Sequence, residues 1–423
     1  MKQSVQRFYL VCFLFCLIFV NCSTRSNIDD NDREETVSAD EICGTIVSDV
    51  RDETEALLSG MSLEEKVGQL FIIDIRKPVT GDPIQYVDDY VTSLLSTYKP
   101  GGVILFGGNL RNPSQARKLI RNMQKLSRIP LFVSIDEEGG PISRLNYSPE
   151  MSPGIMPSAM SIGKTGDPMN AFEAGELIGR QLYSLGINMN NAPVADILTN
   201  PSNPVIGPRS YGSNVDLVCR MVSAHIEGLR AAGIIGVMKH FPGHGDTVAD
   251  SHSGRVRVQH TRERLEQIEL KPFEAGIKAG GSAIMTAHIN VTEIEDIPAT
   301  FSKILLIEML RKELGFTGLI ISDSLGMGAI ANYWKPDEAA VEALTAGVDM
   351  ILIPDDLAAA FEGVYRAVES GRLPEADLDE KVARILDVKR EYRISDSIPD
   401  NDQDKEWYFP EIKTFYKRIL GLK

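Results

Sequence analysis

Eight short apolar runs recur along the chain, at residues 70–73, 102–106, 131–135, 187–194, 237–239, 283–286, 319–322 and 350–353. Several are apolar on both faces, the pattern of strands covered from both sides in a parallel sheet. Between them lie stretches with helical spacing of apolar residues, among them 113–126, 171–185, 215–232, 262–279 and 302–314. Strands alternating with helices over roughly 300 residues predict an α/β fold, a (β/α)8 TIM-type barrel forming a single catalytic domain. An open doubly wound sheet would want a Gly-rich turn after the first strand, and Ile72-Ile73-Asp74-Ile75-Arg76 offers none. Two more helical stretches, 356–370 and 376–392, follow the last strand, so the barrel domain is expected over residues 51–394. Residues 395–423, with Trp407, Tyr408, Phe409 and Phe415, are expected to pack as a C-terminal appendage.

The N-terminus is built differently. Lys2 and Arg7 precede an apolar run at 8–20, and Asn21-Cys22 follows. A basic start and an apolar run short of the roughly 20 residues that span a bilayer make an export signal. A cysteine directly after the run resembles the lipidated cysteine of bacterial lipoproteins. Residues 1–22 are therefore expected to be a signal peptide, with Cys22 as the lipidation site. Residues 23–50 are polar, with Asp29-Asp30-Asn31-Asp32, and too poor in apolar groups to fold alone, which reads as a tether. The expected location is outside the cytoplasm: a membrane-anchored lipoprotein, periplasmic or on the cell surface, or otherwise a secreted protein. The membrane enters only through that lipid anchor. Cys12 and Cys16 lie within the signal, and the scattered Cys22, Cys43 and Cys219 make neither a disulfide framework nor a zinc cluster. Pairing of Cys43 with Cys219 stays open. With 44 basic against 59 acidic side chains, a net charge of −15, the chain has no general electrostatic reason to approach nucleic acid.

A barrel carries its working residues after the C-terminal ends of its strands. The third run leads into Asp136-Glu137-Glu138-Gly139-Gly140, the sixth into His288, and the seventh into Asp323. The fifth leads into Lys239-His240-Phe241-Pro242-Gly243-His244-Gly245-Asp246-Thr247-Val248-Ala249-Asp250-Ser251-His252, which holds three of the six histidines. Asp323 could cap a following helix, but a lone carboxylate with apolar neighbours on both sides suits catalysis better. Asp250 and His252 are two residues apart and face one way in an extended segment. A carboxylate beside an imidazole fixes its tautomer and favours its protonated form, a tunable general acid/base near neutral pH. On its own, this pair is weak evidence and reads more readily as two solvated loop residues. His240 and His244 have the i, i+4 spacing of a zinc helix, but Pro242, Gly243 and Gly245 argue against a helix there, and no metal or cofactor is expected.

Read as a whole, the stretch from Lys239 to Thr247 with Asp250-Ser251-His252 resembles the signature of the β-N-acetylglucosaminidases of glycoside hydrolase family 3. The resemblance extends to Met61-Ser62-Leu63-Glu64-Glu65-Lys66-Val67-Gly68-Gln69-Leu70, to residues 136–144, to Asn191-Ala192-Pro193-Val194-Ala195-Asp196, to Val205-Ile206-Gly207-Pro208-Arg209-Ser210, and to Ser322-Asp323-Ser324-Leu325-Gly326-Met327. It implies a retaining exo-hydrolase that removes terminal β-linked N-acetylglucosamine from peptidoglycan fragments or related amino-sugar oligosaccharides. On that resemblance Asp323 is the nucleophile, and His252 the acid/base with Asp250 as its partner. Asp136, Arg144, Arg209, Lys239 and His240 match positions that hold the sugar hydroxyls and the N-acetyl group. Most glycosidases use two carboxyl groups, and relatives outside this branch often take the second from another domain; here Asp250-Ser251-His252 stands in the barrel loop instead. Three positions depart from the common pattern: Glu137 where Gln is frequent, Pro141 where Arg is frequent, and Ser324 where Asp is often seen. Other readings are a β-glucosidase-like or phosphorolytic member of the family, or a surface sugar-binding lipoprotein with a silent site. His244 has no role on sequence grounds.

Overall fold

The computed structural model describes residues 54–77, 80–251, 254–394, 407 and 409–422. Cys22, Cys43, His252 and the expected signal and tether lie outside the described residues. Eight strands occupy the eight apolar runs: β1 (Phe71–Asp74), β2 (Gly102–Leu105), β3 (Phe132–Ile135), β4 (Met189–Asn190), β5 (Ile235–Phe241), β6 (Ala283–Thr286), β7 (Leu319–Ile321) and β8 (Ile351–Leu352). They pair in parallel in the order β7-β6-β5-β4-β3-β2-β1-β8. A parallel bridge between Ile321 and Met350 joins the two ends of that order and closes the barrel.

Two strands differ from the expected limits for local reasons. β4 stops at Asn190 because the Ala192 N–H turns back onto the Asn190 carbonyl at 2.7 Å instead of reaching a neighbouring strand, and pairing resumes only as the single bridge Val194–Lys239. β5 runs past Lys239, its expected end, to Phe241, so His240 also sits within the fully buried strand rather than in the loop. Helix Pro113–Leu126 starts where Asn112 accepts a hydrogen bond from the Gln115 N–H, with Pro113 at the first turn. Helix Pro168–Leu185 begins ahead of residue 171 because Asp167 caps it. The stretch 262–279 is not one helix: a wider π-turn segment, Leu265–Glu269, separates Arg262–Arg264 from Lys271–Lys278.

Barrel strands are apolar where they pack, with Ile104, Leu105, Val133, Ile135, Ile284 and Ile320 all buried. At the strand starts, Asp349 is fully buried and accepts from Arg311 (2.5 Å), Arg384 (2.6 Å) and the Ile320 N–H (2.8 Å). That network seals the end opposite the one where the polar residues gather. Helix Pro410–Ile419 buries Ile412 and Phe415. The Trp407 indole donates to the Met151 carbonyl, in the long loop after β3.

Candidate active site

A cavity of about 290 Å³ opens at the C-terminal ends of the strands. Asp136, Arg144, Arg209, Lys239, His240 and Asp323 all line it. These come from the ends of β3, β5 and β7 and from the loops after β3 and β4. The barrel thus brings together six residues that span nearly two hundred positions of sequence.

Lys239 is the hub. Its side chain is almost entirely buried, and its Nζ donates to Asp136 Oδ1 at 3.0 Å and pairs with Glu138 Oε1 at 2.7 Å. Arg209 grips the same Glu138 with two parallel bonds, 2.8 and 2.9 Å long. Arg144 reaches Asp136 Oδ2 at 3.3 Å. Burial by itself would raise the Asp136 carboxyl, but Lys239 and Arg144 outweigh it and hold it down at about 2. Burial would likewise raise Glu138, and Lys239 and Arg209 pull it below the ordinary carboxylate range. Lys239 stays a cation against its own burial because of the two carboxylates. The floor of the cavity is therefore a nearly neutral lattice of fixed donors and acceptors, suited to a polyhydroxylated ligand that carries no charge.

A second carboxylate organises the histidines. Asp196, fully buried, accepts from the backbone N–H of His240 (3.2 Å) and of His244 (2.6 Å) with Oδ1, and meets His240 Nδ1 at 2.7 Å with Oδ2. Arg209 lies 3.4 Å from His240 Nε2 and can only donate. The proton of a neutral His240 ring is therefore on Nδ1, facing Asp196, which leaves Nε2 as an acceptor beside the cavity. Gly245 follows His244 because any side chain there would collide with the Ile197 carbonyl, 1.7 Å from where its Cβ would stand.

Asp323 leaves β7 and accepts from the Ser324 N–H at 2.8 Å. It caps no helix: the next one, Gly328–Ala331, starts after Met327. Behind it His288 is buried, with Nε2 donating to the Ser324 carbonyl (2.9 Å) and Nδ1 against the Thr300 hydroxyl (2.8 Å). Asp250 lies in the loop after β5 and is half-buried, and its neighbour Ser251 reaches the cavity wall. His252 lies outside the described residues.

Glu138, Asp196 and His288 do structural work at the site that sequence reasoning did not assign. Glu138 carried one usable signal: it is two residues beyond Asp136, on the same side of an extended segment. Arg76 and Phe106 also line the cavity, the guanidinium lying over the ring at 5.3 Å.

Glu137 points elsewhere. It is buried, and its Oε2 accepts from the Arg144 N–H (2.8 Å) and the Leu145 N–H (3.0 Å), with no side-chain cation among the described residues bonded to it. Burial pushes its carboxyl up to about 7 despite those bonds. A carboxyl raised in the folded state lends full stability below its ordinary value of 4.5 and loses it as pH climbs through about 7. Glu137→Gln keeps an acceptor and removes the charge. Chemical denaturation should find the variant more stable at pH 8, by up to about 3 kcal/mol, and nearly unchanged at pH 4.5. A gain of equal size at both pH values would refute the assignment.

The sequence profile of the glycosyl hydrolase family 3 N-terminal domain matches residues 62–388, more than three quarters of the chain. The chain belongs to glycosyl hydrolase family 3. Among similar proteins, Beta-hexosaminidase A of Pseudoalteromonas piscicida is 35% identical over 366 residues, 78% of this chain and 61% of that protein. This chain thus spans under two thirds of that relative's length. The Beta-hexosaminidase of Tolumonas auensis is 40% identical over 263 residues, 62% of this chain and 77% of that protein. Among solved family 3 structures, the β-N-acetylglucosaminidase of Paenibacillus sp. FPU-7 superposes with a TM-score of 0.79 at 38% identity, covering 85% of this chain and 68% of that one. The barrel and the family expected from the sequence are both found.

Proposed function

We propose that this family 3 glycoside hydrolase is a retaining, exo-acting β-N-acetylglucosaminidase that releases terminal β-linked N-acetylglucosamine from an oligosaccharide. The observation that carries this reading is the placement of Asp323 in one cavity with Asp136, Arg144, Arg209, Lys239 and His240. The names of the hexosaminidase relatives support the sugar. A cavity of about 290 Å³ suits one terminal sugar rather than a chain passing through.

In the first step Asp323 attacks the anomeric carbon and forms a glycosyl-enzyme ester, while His252 gives its proton to the departing glycosidic oxygen. In the second step His252 takes a proton from water, and the water oxygen displaces Asp323 from the same carbon. Two inversions give net retention. Asp250 stabilises the imidazolium of His252 before transfer and orients the ring. Asp136 is kept ionised by Lys239 and Arg144 and accepts from sugar hydroxyls. Arg144 and Arg209 supply donors, and His240, whose Nε2 accepts from Arg209, helps to hold that guanidinium in place. The lattice is set before substrate arrives, so little reorganisation is needed when charge develops.

Peptidoglycan fragments are the proposed natural source of the sugar, with Cys22 as the lipid anchor that holds the enzyme at a membrane surface. Side-by-side product analysis with peptidoglycan fragments and chitobiose tests the first, and metabolic lipid labelling that disappears in Cys22→Ser tests the second. Inverted α-N-acetylglucosamine as the first product would rule out a retaining mechanism. His252→Ala should slow a substrate with a poor leaving group by about 10²-fold or more, and an activated aryl glycoside far less at the glycosylation step. Equal losses on both would remove His252 as the acid.

A further inference from the structure

The loop between Asp246 and Gly254 carries both members of the proposed acid/base pair, and its tip is open to solvent, with Val248 79% exposed. A proton donor on such a loop needs something to hold it still. Its root is well fixed: Asp246 accepts from Thr199 (2.9 Å) and pairs with His260 (2.8 Å), while Asn200 donates to the Thr247 carbonyl (3.0 Å). Beyond the tip, Arg255 lies over the Tyr333 ring at 4.1 Å. Between these anchors one residue turns inward. Ser251 is 3% exposed, although Asp250 before it is only half-buried.

Ser251 is held from two sides. Its carbonyl accepts from the Ala329 N–H at 3.0 Å, in the segment that follows Asp323. Its hydroxyl lies 3.4 Å from Nε2 of His244. The other ring nitrogen of His244 meets the Thr247 hydroxyl at 2.8 Å, its backbone N–H donates to Asp196, and its carbonyl accepts from Asn203 at 2.8 Å. In a neutral imidazole one nitrogen donates and the other accepts, so either tautomer can serve both hydroxyls. Burial, and His240 close by, both disfavour the protonated ring. His244 is thus fastened to the barrel at its backbone and offers its ring to the loop.

We infer that Ser251 and His244 are positioning residues for proton transfer: the His244 ring and the Ala329 amide pin Ser251, and Ser251 sets where its sequence neighbours Asp250 and His252 stand relative to Asp323. The inference rests on the acid/base role proposed above. It assigns a task to His244, which neither the sugar-holding lattice nor the proton transfer itself uses.

The test compares the full-length wild type with Ser251→Ala, His244→Phe and His244→Gln. Two substrates are used: N,N′-diacetylchitobiose, whose leaving group needs a proton, and 2,4-dinitrophenyl β-N-acetylglucosaminide, whose leaving group does not. Inhibition by N-acetylglucosamine reports the sugar pocket separately. Ser251→Ala should lower kcat/KM on chitobiose about 10-fold, and His244→Phe about 10²-fold, both losing far less on the dinitrophenyl glycoside. His244→Gln, which keeps a donor and an acceptor, should lie between wild type and His244→Phe. Inhibition by N-acetylglucosamine should hold. Equal losses on both substrates, weaker N-acetylglucosamine inhibition in step with kcat/KM, or no loss in Ser251→Ala would overturn the assignment. Wild-type enzyme that releases N-acetylglucosamine from neither substrate would instead sink the reaction and the assignment together.

Discussion

Asp323→Asn should leave the barrel folded and reduce turnover about 10⁴-fold or more. The amide is close in size and shape to the carboxylate, and its oxygen can still accept from the Ser324 N–H that orients Asp323. What is lost is the nucleophile, and among the described residues no other carboxylate lining the cavity is placed to replace it: Asp136 and Glu138 are committed to Lys239 and to Arg144 and Arg209. Steady-state assays with an aryl β-N-acetylglucosaminide, together with an unchanged circular dichroism spectrum, check this. Azide gives a sharper readout in the shorter variant Asp323→Ala, where it can occupy the vacated space and attack from the nucleophile's side. The product would then be the inverted glycosyl azide. Near-normal turnover in Asp323→Asn would remove the residue from the mechanism.

Lys239→Met should be the most damaging single change to the lattice. It leaves the buried Glu138 and the partly buried Asp136 without their shared cation, and breaking a buried pair such as Lys239–Glu138 by removing one partner costs about 3–5 kcal/mol. Arg144 and Arg209 stay in place and temper the loss. The effect depends on pH in a defined direction. In the wild type the Asp136 carboxyl sits at about 2, below its ordinary 3.8. Its contribution to stability is complete above 3.8 and fades as pH falls toward 2. The difference between wild type and Lys239→Met should accordingly be widest at neutral pH and shrink on acidification. Thermal melts at pH 7 and pH 3 would show it. A gap of the same size at both would mean that Lys239 acts through packing rather than charge. Binding of N-acetylglucosamine should weaken in the same variant, since Asp136 and Glu138 lose the contact that fixes them.

The barrel was legible because its strands are apolar on both faces, and burial on both faces is what a closed parallel sheet imposes on each strand. Local chemistry that competes with that pattern was harder to see. A turn of the Ala192 N–H back onto Asn190 ends β4 after two residues, and the rim strands Val256–Val258, Ile289–Val291 and Glu295–Pro298 pair in a small separate sheet that no long apolar run announces. At the site, Asp136, Lys239, His240 and Asp323 could be located because a barrel's strand ends converge. Arg144 and Arg209 came only from resemblance, as they lie well past their strands. Which residues these pair with could not be read, even where, as at Glu138, spacing hinted at a place in the site. Glu138 meets Arg209 across 71 positions, and Asp196 meets His240 across 44. Nothing local distinguishes such a carboxylate from any other until the chain is closed.

The triple bonding of Asp196 has a consequence for how this site can change over generations. One carboxylate fixes both His240, on the sugar side, and His244, on the loop side. Substitutions at the two histidines are therefore expected to be non-additive, because each alters the same shared anchor. A lineage cannot retune sugar recognition at His240 without disturbing the scaffold that the loop depends on. Drift in sugar preference should begin instead at residues that line the cavity but leave Asp196 untouched, such as Arg76 and Met327.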